Sequence, residues 1–580
     1  MALNRVKRFA KKWLISENLA RVINHYRSED LQKFWFGDPP VSAPEFERTY
    51  FGSIGLKPRV IRRMDDYRSA ACVERRVELP IVRGASDTAA QIALSPVKEW
   101  EADHTVRLRR GTREMVLRDL PPERWLDVRI DLDGTEVSLI VETDAPIEIT
   151  MPRPVRDPGQ RQQGKELRHI VVCMLDAWTT AIPTGKHPFT GENSLTPNIE
   201  RFFAQGFRAF RGVSSGQWTL PAVGSLFTGL HVSRHRMYHP RRWQEFDPGR
   251  RLLPEYLQAA GFHTQCGSVV SRITPAFGHN RGFDRFLYHF GVPGFSWQTY
   301  DPAVWVQEII GHMEAHYAGR TFSYFQFPDT HPSWQMPPQT RYFHLGRRGS
   351  TSFDLEQMMK FKPSSGIDVP DQAHQLYSLR LAEIDRLFGC IFDYVERTFG
   401  DEALVVVTAD HGMRMPYLSE AHRNDEPFLT DVRMNIPLYM RGFGIPESIY
   451  DKLCLPNVDL PLMLLNLAGI QKDTNDFDGM DLITPQGKSR DCVVSEYIYS
   501  GVYEIAVRGH GHALFQKYSI DDRKFRILSD MPLYQGLYPL DATSYDREYE
   551  ATQGRPETLE ILQQEARSHI RRAGLTGESA

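Results

Sequence analysis

The segment that most constrains this chain is the apolar, β-branched run from Ala403 to Ala409, which stops at once on Asp410, His411 and Gly412. A run of this kind, without polar alternation, predicts a strand buried on both faces, as in a parallel sheet. Ligands of such sheets bind just beyond the carboxyl ends of the strands. Asp410 and His411 are therefore predicted at the edge of a site, although both residue types are also common in turns.

Two other segments repeat this pattern. His169 to Leu175 is a second apolar run and ends on Asp176, and Phe322 to Phe327 is a third, followed by Asp329 and His331. Carboxylates brought together from buried strands repel each other, and a bound cation would relieve that repulsion. The three strand ends therefore predict a metal site.

The bulk properties set limits on the class of protein. A length of 580 residues predicts more than one domain, and a net charge of -3 with 25% charged residues gives no indication of a nucleic-acid partner. The six cysteines are scattered without a CxxC pair. This spacing is typical of buried thiols in a reducing compartment rather than of a disulfide framework.

The N-terminal segment bears on location. It has no apolar core of signal-peptide length, and no later stretch is apolar enough to span a bilayer, so a cytoplasmic protein is expected. Residues 1–15 mix basic and apolar residues, as in an amphipathic helix that contacts an anionic membrane surface. A solvated helix docked on its own domain is the favoured alternative.

The pattern changes along the chain and divides it into four parts. Residues 1–84 are predicted to be helical and residues 85–165 to form a small antiparallel β module with a linker. Residues 166–546 alternate strands with amphipathic helices, which predicts an α/β catalytic domain. Residues 547–580 are predicted to be a helical tail. Within the β module, Asp133 and Gly134 predict a hairpin turn between strands at 126–132 and 137–141.

Thr219 is the candidate nucleophile. It is a good helix N-cap residue, and Pro221 suits a first helical turn, so the hydroxyl is expected at the positive end of a helix. A hydroxyl needs a base or a metal to become a nucleophile at neutral pH. Coordination of Thr219 to the metal held by Asp176, Asp410 and His411 would supply this activation. In isolation, the simpler interpretation of Thr219 is a helix cap.

The motifs of residues 167 to 546 resemble, in order, those of the sulfatase branch of the alkaline phosphatase superfamily. The matching segments are Asp176 at the end of the first strand, Thr196 to Glu200, Thr219 to Gly229, Gly282 to Phe286, Thr408 to Gly412, Asn435 to Tyr439, Val458 to Gly469 and Leu537 to Leu540. The resemblance implies a mixed, mostly parallel sheet sandwiched by helices, preceded here by a helical and small antiparallel β extension.

The chain departs from this family at the centre of the site. Sulfatases carry a Cys or Ser that is oxidised to formylglycine, and Thr219 cannot yield that aldehyde. Val223 replaces the arginine that supports the nucleophile, and Ala177 replaces a second acid after Asp176. The remaining mixed oxygen and nitrogen ligands suit Mn²⁺ or Zn²⁺, with Mg²⁺ or Ca²⁺ as alternatives.

Relatives with a threonine nucleophile cleave or transfer phosphate esters, so the resemblance implies attack of Thr219 on phosphorus through a phosphothreonine. The implied substrate is the ester of a small molecule, a glycan or a lipid headgroup. A sulfuric ester hydrolase without formylglycine and a non-catalytic metal-binding relative are the two alternatives.

The resemblance also implies a second set of candidates. Asp329 and His331 occupy the position of a loop that supplies either ligands of a second metal or a substrate-binding histidine, a polar turn being the alternative. His422 and Arg423 lie where sulfatases keep a lysine that binds the ester group, with a solvated loop equally expected.

Overall fold

A computed structural model of the chain describes residues 43, 45–63, 66–81, 88–98, 104–118, 120–121, 124–132, 138–155, 166–178, 194–238, 244–289, 301–331, 334–335, 352–353, 369–413, 427–483, 489–499, 501–521, 523–540 and 555–576. None of the helices in these ranges combines the length and apolarity needed to cross a bilayer.

The strands in these ranges are β1 (Pro58–Arg63), β2 (Asp66–Val73), β3 (Arg76–Pro80), β4 (Ala89–Pro96), β5 (Thr105–Arg110), β6 (Arg113–Arg118), β7 (Leu126–Asp131), β8 (Ser138–Thr143), β9 (Ile147–Ile149), β10 (Arg153–Val155), β11 (His169–Leu175), β12 (Phe207–Val213), β13 (His263–Ser268), β14 (Arg285–Tyr288), β15 (Thr321–Phe327), β16 (Trp334–Gln335), β17 (Ser352–Phe353), β18 (Ala403–Ala409), β19 (Asn435–Gly442), β20 (Ser448–Tyr450), β21 (Cys492–Tyr499), β22 (Val502–Gly509), β23 (His512–Asp521), β24 (Arg526–Ile527) and β25 (Tyr534–Pro539).

The α-helices in these ranges are α1 (Glu45–Ser53), α2 (Pro197–Phe203), α3 (Thr219–Thr228), α4 (Val232–His235), α5 (Leu253–Ala259), α6 (Pro302–Ala315), α7 (Val369–Thr398), α8 (Asp431–Met434), α9 (Pro456–Leu467) and α10 (Pro556–Arg572). Short 3₁₀ turns cover Pro275–Phe277, Pro328–Thr330, Gly400–Glu402 and Thr474–Asp476.

The main sheet has fourteen strands, ordered β10-β4-β9-β2-β14-β13-β15-β11-β18-β19-β12-β20, with β1 paired to β2 and β7 paired to β4. Its centre, β14-β13-β15-β11-β18, is parallel. The three strands predicted to carry the site are neighbours there, with β11 between β15 and β18. The predicted mixed, mostly parallel sheet flanked by helices is confirmed.

Alternate side chains of β11 enter two different cores, which explains its unbroken apolar sequence. Ile170 and Val172 pack in the core that contains α3 and α9. Val171 and Cys173 pack on the opposite face in the core that contains α2, α6 and α7. A strand covered by helices on both faces has no place for polar residues until it ends. The first polar residue after β11, Asp176, therefore lies just beyond the carboxyl end of the strand.

The N-terminal part differs from its predicted organisation. Residues 58–80 form β1, β2 and β3, whereas 1–84 were predicted to be helical. β2 pairs antiparallel with β14, with Tyr67 opposite Phe286, so this segment extends the main sheet. Pairing to an existing sheet edge overrides the polar local composition from which a helix was predicted. Part of the predicted linker is also a strand, since β10 pairs with β4.

The predicted pairing of the strands at 126–132 and 137–141 is wrong, and Asp133 and Gly134 themselves lie outside the described residues. β7 pairs with β4 in the main sheet, whereas β8 pairs with β3 and β5 in a separate four-stranded sheet of order β3-β8-β5-β6. An alternating sequence determines which face of a strand is buried but leaves its partner open. Two alternating segments that are close in sequence thus entered different sheets.

The C-terminal part forms a second structural layer. β21 to β25 form an antiparallel sheet, and α10 packs against it through Leu562, Ala566 and Ile570. The helical character predicted for the tail is confirmed at residues 556–572. This sheet lies against the segment that precedes α3, because Glu496 N on β21 donates to Ser215 O across 2.9 Å.

Candidate active site

Two acidic residues follow directly on adjacent parallel strands. Leu175 at the end of β11 lies opposite Ala409 at the end of β18, so Asp176 and Asp410 emerge side by side at one sheet edge. Asp176 is 1% exposed, Asp410 0% and His411 6%. One potential ligand atom from each of the three lies within 4.8 Å of the others. The predicted convergence of these residues is therefore present.

Backbone groups fix the Asp410 carboxylate. Its Oδ1 accepts hydrogen bonds from the amide of Ala177 at 3.0 Å and from the amide of His411 at 2.7 Å. Ala177 has a φ of 62°, a conformation that costs a non-glycine residue about 1–2 kcal/mol. The turn after Asp176 thus carries strain while its amide points at Asp410.

His411 is oriented by its own loop. Its Nδ1 lies 2.7 Å from Gly412 O, and donation to this carbonyl leaves the lone pair on Nε2. Nε2 lies 3.6 Å from Asp176 Oδ1 and 3.7 Å from Asp410 Oδ2. The ring therefore presents a potential ligand atom to both carboxylates.

Asp176 carries the clearest indication that the cluster can bind a cation. Its Oδ1 is buried and has no hydrogen-bond partner. Burial, followed by the nearby Asp410 carboxylate, raises the pKa of Asp176 well above its usual range, while His411 opposes the shift. Two buried acids around an imidazole are a costly arrangement by themselves. A divalent cation would neutralise them and supply the missing partner of Oδ1, so the residues present fit a metal.

Thr219 lies beside this cluster. Its Oγ1 donates to Asp176 Oδ2 across 3.4 Å, and the side chain is 5% exposed. The N-cap of α3 is Trp218 rather than Thr219, which is the first helical residue. The prediction that Thr219 is the N-cap residue is therefore wrong by one position. Its hydroxyl turns toward Asp176 instead of bonding to the helix amides. The position at the positive end of the helix is as predicted.

Three further polar residues orient the cluster and were not singled out from the sequence. Gln326 Nε2 donates to Asp410 Oδ2 at 3.1 Å. Ser214 Oγ donates to the carbonyl of Asp410 at 2.6 Å, and Asn457 Nδ2 donates to the same carbonyl at 3.3 Å. Gln326 gave little signal, because β15 also contains the polar residues Thr321 and Ser323.

Among the described residues, Asp329 is not grouped with Asp176, Asp410 and His411. Asp329 forms a buried ion pair with Arg380 of α7, and its pKa is raised to about 6 by burial in spite of that arginine. Its neighbour Thr330 donates from Oγ1 to the Asp176 carbonyl at 2.5 Å. The roles of Asp329 and His331 stay predictions. His422, Arg423 and residues 1–15 lie outside the described ranges.

The departure at Val223 has a structural explanation. Val223 is 0% exposed and packs in the core with Leu220 and Leu226 of the same helix. Its side chain therefore belongs to the packing of α3 against the sheet. The support that an arginine would give to the nucleophile is absent at this position, and Thr219 relies on the Asp176 contact.

Fold and site together are those of an ester hydrolase. The sulfatase family model matches residues 168–470, more than half of the chain, and the chain belongs to this family. No functionally curated protein matches it.

Solved structures share the fold at low sequence identity. A candidate sulfatase from Bacteroides thetaiotaomicron is 16% identical with a TM-score of 0.52, over 71% of this chain and 93% of that one. A structure from work on glycosaminoglycan metabolism by Bacteroides thetaiotaomicron is 14% identical with a TM-score of 0.52, over 70% and 97%. A third, solved with its substrate D-glucosamine-2-N,6-O-disulfate, is 18% identical with a TM-score of 0.51, over 70% and 98%.

Proposed function

We propose that this protein is a metal-dependent hydrolase or transferase of phosphate esters, with Thr219 as its nucleophile. The observation that carries the proposal is the 3.4 Å contact between Thr219 Oγ1 and Asp176 Oδ2 at the start of α3. This contact places an unmodified hydroxyl, which cannot become formylglycine, next to the cluster of Asp176, Asp410 and His411.

Asp176, Asp410 and His411 would hold the cation together with Thr219, and Mn²⁺ or Zn²⁺ suits this mixture of oxygen and nitrogen ligands. When bound, the cation lowers the pKa of the hydroxyl and neutralises charge on the ester. Asp410 is already oriented for this task by two amides and by Gln326.

Thr219 Oγ1 loses its proton and forms a bond to phosphorus as the bond from phosphorus to the leaving oxygen breaks. The leaving oxygen takes up one proton, so that protons balance over the step. Water or an acceptor hydroxyl then attacks the phosphothreonine and releases the Thr219 hydroxyl. The helix N-terminus at Thr219 favours the negative charge of the phosphoryl group.

Positive charge near the nucleophile supports an anionic substrate. The guanidinium of Arg272 lies 5.6 Å from the centre of the Trp218 ring, and Trp218 directly precedes Thr219. The substrate class we propose is a phosphomonoester or phosphodiester of a small molecule, a glycan or a lipid headgroup.

The test compares turnover of nitrophenyl phosphate, bis-nitrophenyl phosphate and nitrophenyl sulfate by the wild-type protein loaded with Mn²⁺ or Zn²⁺. We expect turnover of at least one phosphate ester and a phosphorylated Thr219 in mass spectra of the trapped protein. Thr219→Val keeps the shape without the hydroxyl and should lower turnover by about a thousandfold or more. Thr219→Ser should retain part of it.

The outcomes separate the alternatives. Turnover of the sulfate alone, lost in Thr219→Val, would replace the proposal with a sulfatase that works without formylglycine. Metal binding without turnover of any ester would favour a non-catalytic relative. Phosphate ester turnover that is unchanged in Thr219→Val would exclude Thr219 as the nucleophile.

A further inference from the structure

A second cluster of potential metal ligands lies outside the proposed active site. It contains His231 from the segment between α3 and α4, Glu496 from β21 and His569 from α10. One ligand atom of each residue lies within 4.8 Å of the others. Glu496 is 0% exposed and His569 4% exposed. Three distant parts of the chain thus meet at a His-Glu-His group.

The imidazoles of this group have nitrogens without hydrogen bonds. His231 Nδ1 and His569 Nε2 are both buried and lack a hydrogen-bond partner. His569 Nε2 lies 3.1 Å from Glu496 Oε1, within ion-pair distance, and the two rings meet edge to face with centres 4.7 Å apart. Buried polar atoms normally have partners, so the unpartnered His231 Nδ1 beside this ion pair indicates that the group can bind a ligand.

The carboxylate is held in place from outside the cluster. Glu496 Oε2 accepts from the amide of Ser233 at 2.9 Å and from its hydroxyl at 3.0 Å. Oε1 accepts from the Tyr503 hydroxyl at 2.9 Å. Hydrogen bonds of this kind orient ligating carboxylates in metal sites and still leave Oε1 a free lone pair.

A cavity of about 470 Å³ opens beside the two histidines, and it is also lined by Asp478, Arg490 and Cys492. Its arginines are compensated: Arg490 pairs with Asp459, Arg234 with Asp478 and Arg572 with Glu565. The cavity gives space for a water or exogenous ligand. Three protein ligands with such an open position are typical of zinc bound by two histidines and a glutamate.

We propose that His231, Glu496 and His569 form a second divalent transition-metal site, with Zn²⁺ as the favoured ion. The site joins α10 to the nucleophile region, because Glu496 N donates to Ser215 O at 2.9 Å and His231 follows α3. It therefore fixes the C-terminal helix against the segment that leads to Thr219. This inference does not depend on the proposed phosphate ester chemistry.

The test is the Zn²⁺ stoichiometry of the full-length protein after removal of metal with a chelator. We expect wild type to bind two Zn²⁺ per chain, and His569→Gln, His231→Gln and Asp410→Asn to bind one each. The double variant Asp410→Asn with His569→Gln should bind none. His512→Ala, which alters a histidine of β23 outside the cluster, should still bind two.

A spectroscopic measurement isolates the second site. Asp410→Asn loaded with Co²⁺ should show visible absorption bands of a low-coordinate ion, and these bands should vanish when His569→Gln is added. The Zn²⁺ retained by His569→Gln at the first site shows that this variant is folded. If Asp410→Asn binds neither Zn²⁺ nor Co²⁺, the proposal is wrong, and the cluster is an ion pair between His569 and Glu496. Absent ester turnover would leave this result unaffected.

Discussion

Gln326 Nε2 donates a hydrogen bond to Asp410 Oδ2 at 3.1 Å, from β15 across the intervening strand β11 to the end of β18. Tyr324 OH donates in turn to Gln326 Oε1 at 2.6 Å. This pair of bonds determines which way the amide faces, because the carbonyl end is already occupied. The orientation of the Asp410 carboxylate thus depends on two side chains of another strand.

The first prediction concerns this chain of hydrogen bonds. Gln326→Leu should weaken metal binding at the Asp176, Asp410 and His411 site about ten- to a hundredfold, since outer partners of ligating carboxylates contribute at this level. Calorimetric titration of the metal-free protein with Zn²⁺ measures it. Tyr324→Phe keeps the ring and should cause a smaller loss. Equal affinities of wild type and Gln326→Leu would show that the backbone amides alone hold Asp410.

The second prediction concerns removal of the metal. In the His569→Gln background, which leaves the Asp176 site alone, Zn²⁺ at a thousand times its Kd should stabilise the fold by about 4 kcal/mol. Asp176→Asn should stabilise the metal-free protein, because it removes the repulsion between two buried carboxylates. The same change should abolish the effect of Zn²⁺. Thermal unfolding with and without a chelator measures both effects.

The third prediction concerns Asp329. Its buried pair with Arg380 is expected to be structural, so Arg380→Met should destabilise the fold by about 3–5 kcal/mol by leaving an unpaired buried carboxylate. Adding Asp329→Asn should recover much of this loss. A double-mutant cycle by urea denaturation gives the coupling. Loss of a bound metal in Asp329→Asn would instead support the role of a second-metal ligand that the sequence predicted for this residue.

The centre of the fold could be predicted from the sequence because strands buried on both faces have a recognisable apolar sequence. β11 and β18 are covered on both faces, so their residues are apolar until Asp176 and Asp410. Parallel pairing then requires consecutive strand ends to share an edge. The predicted meeting of Asp176, Asp410 and His411 therefore follows from local sequence and one topological rule, whereas Thr219 was assigned to the site through the resemblance to sulfatases.

Other features depend on contacts between segments that are distant in sequence, and no local sequence pattern predicts such contacts. Of the strands at 58–80, β2 pairs with the distant β14 and β9, and β3 pairs with β8. Gln326 acts on a residue from another strand, and nothing near it in sequence indicates that contact. The cluster of His231, Glu496 and His569 joins three segments that are far apart in sequence, so it can be identified only in the tertiary structure.

The last prediction concerns a buried acid in the N-terminal extension. Glu47 of α1 is 5% exposed, and its Oε2 is buried without a hydrogen-bond partner. Burial, helped by Asp284 and opposed by Ser69 and Arg153, raises the pKa of Glu47 from 4.5 to about 8. The folded protein thus keeps a proton between these two pH values that the unfolded chain has lost.

The contribution of Glu47 to the free energy of unfolding should therefore be most favourable below pH 4.5. It should fall by up to about 1.4 kcal/mol per pH unit as the pH rises toward 8. Glu47→Gln cannot ionise, so its melting temperature should exceed that of wild type above pH 8 and lose this advantage near pH 4.5. Glu74→Gln removes the same charge at an exposed position and is the matched control. Calorimetric melting curves across this pH range measure the difference in melting temperature between wild type and Glu47→Gln. A difference that does not change with pH would mean that Glu47 ionises with equal ease in the folded and unfolded chain, and that its carboxyl is not buried.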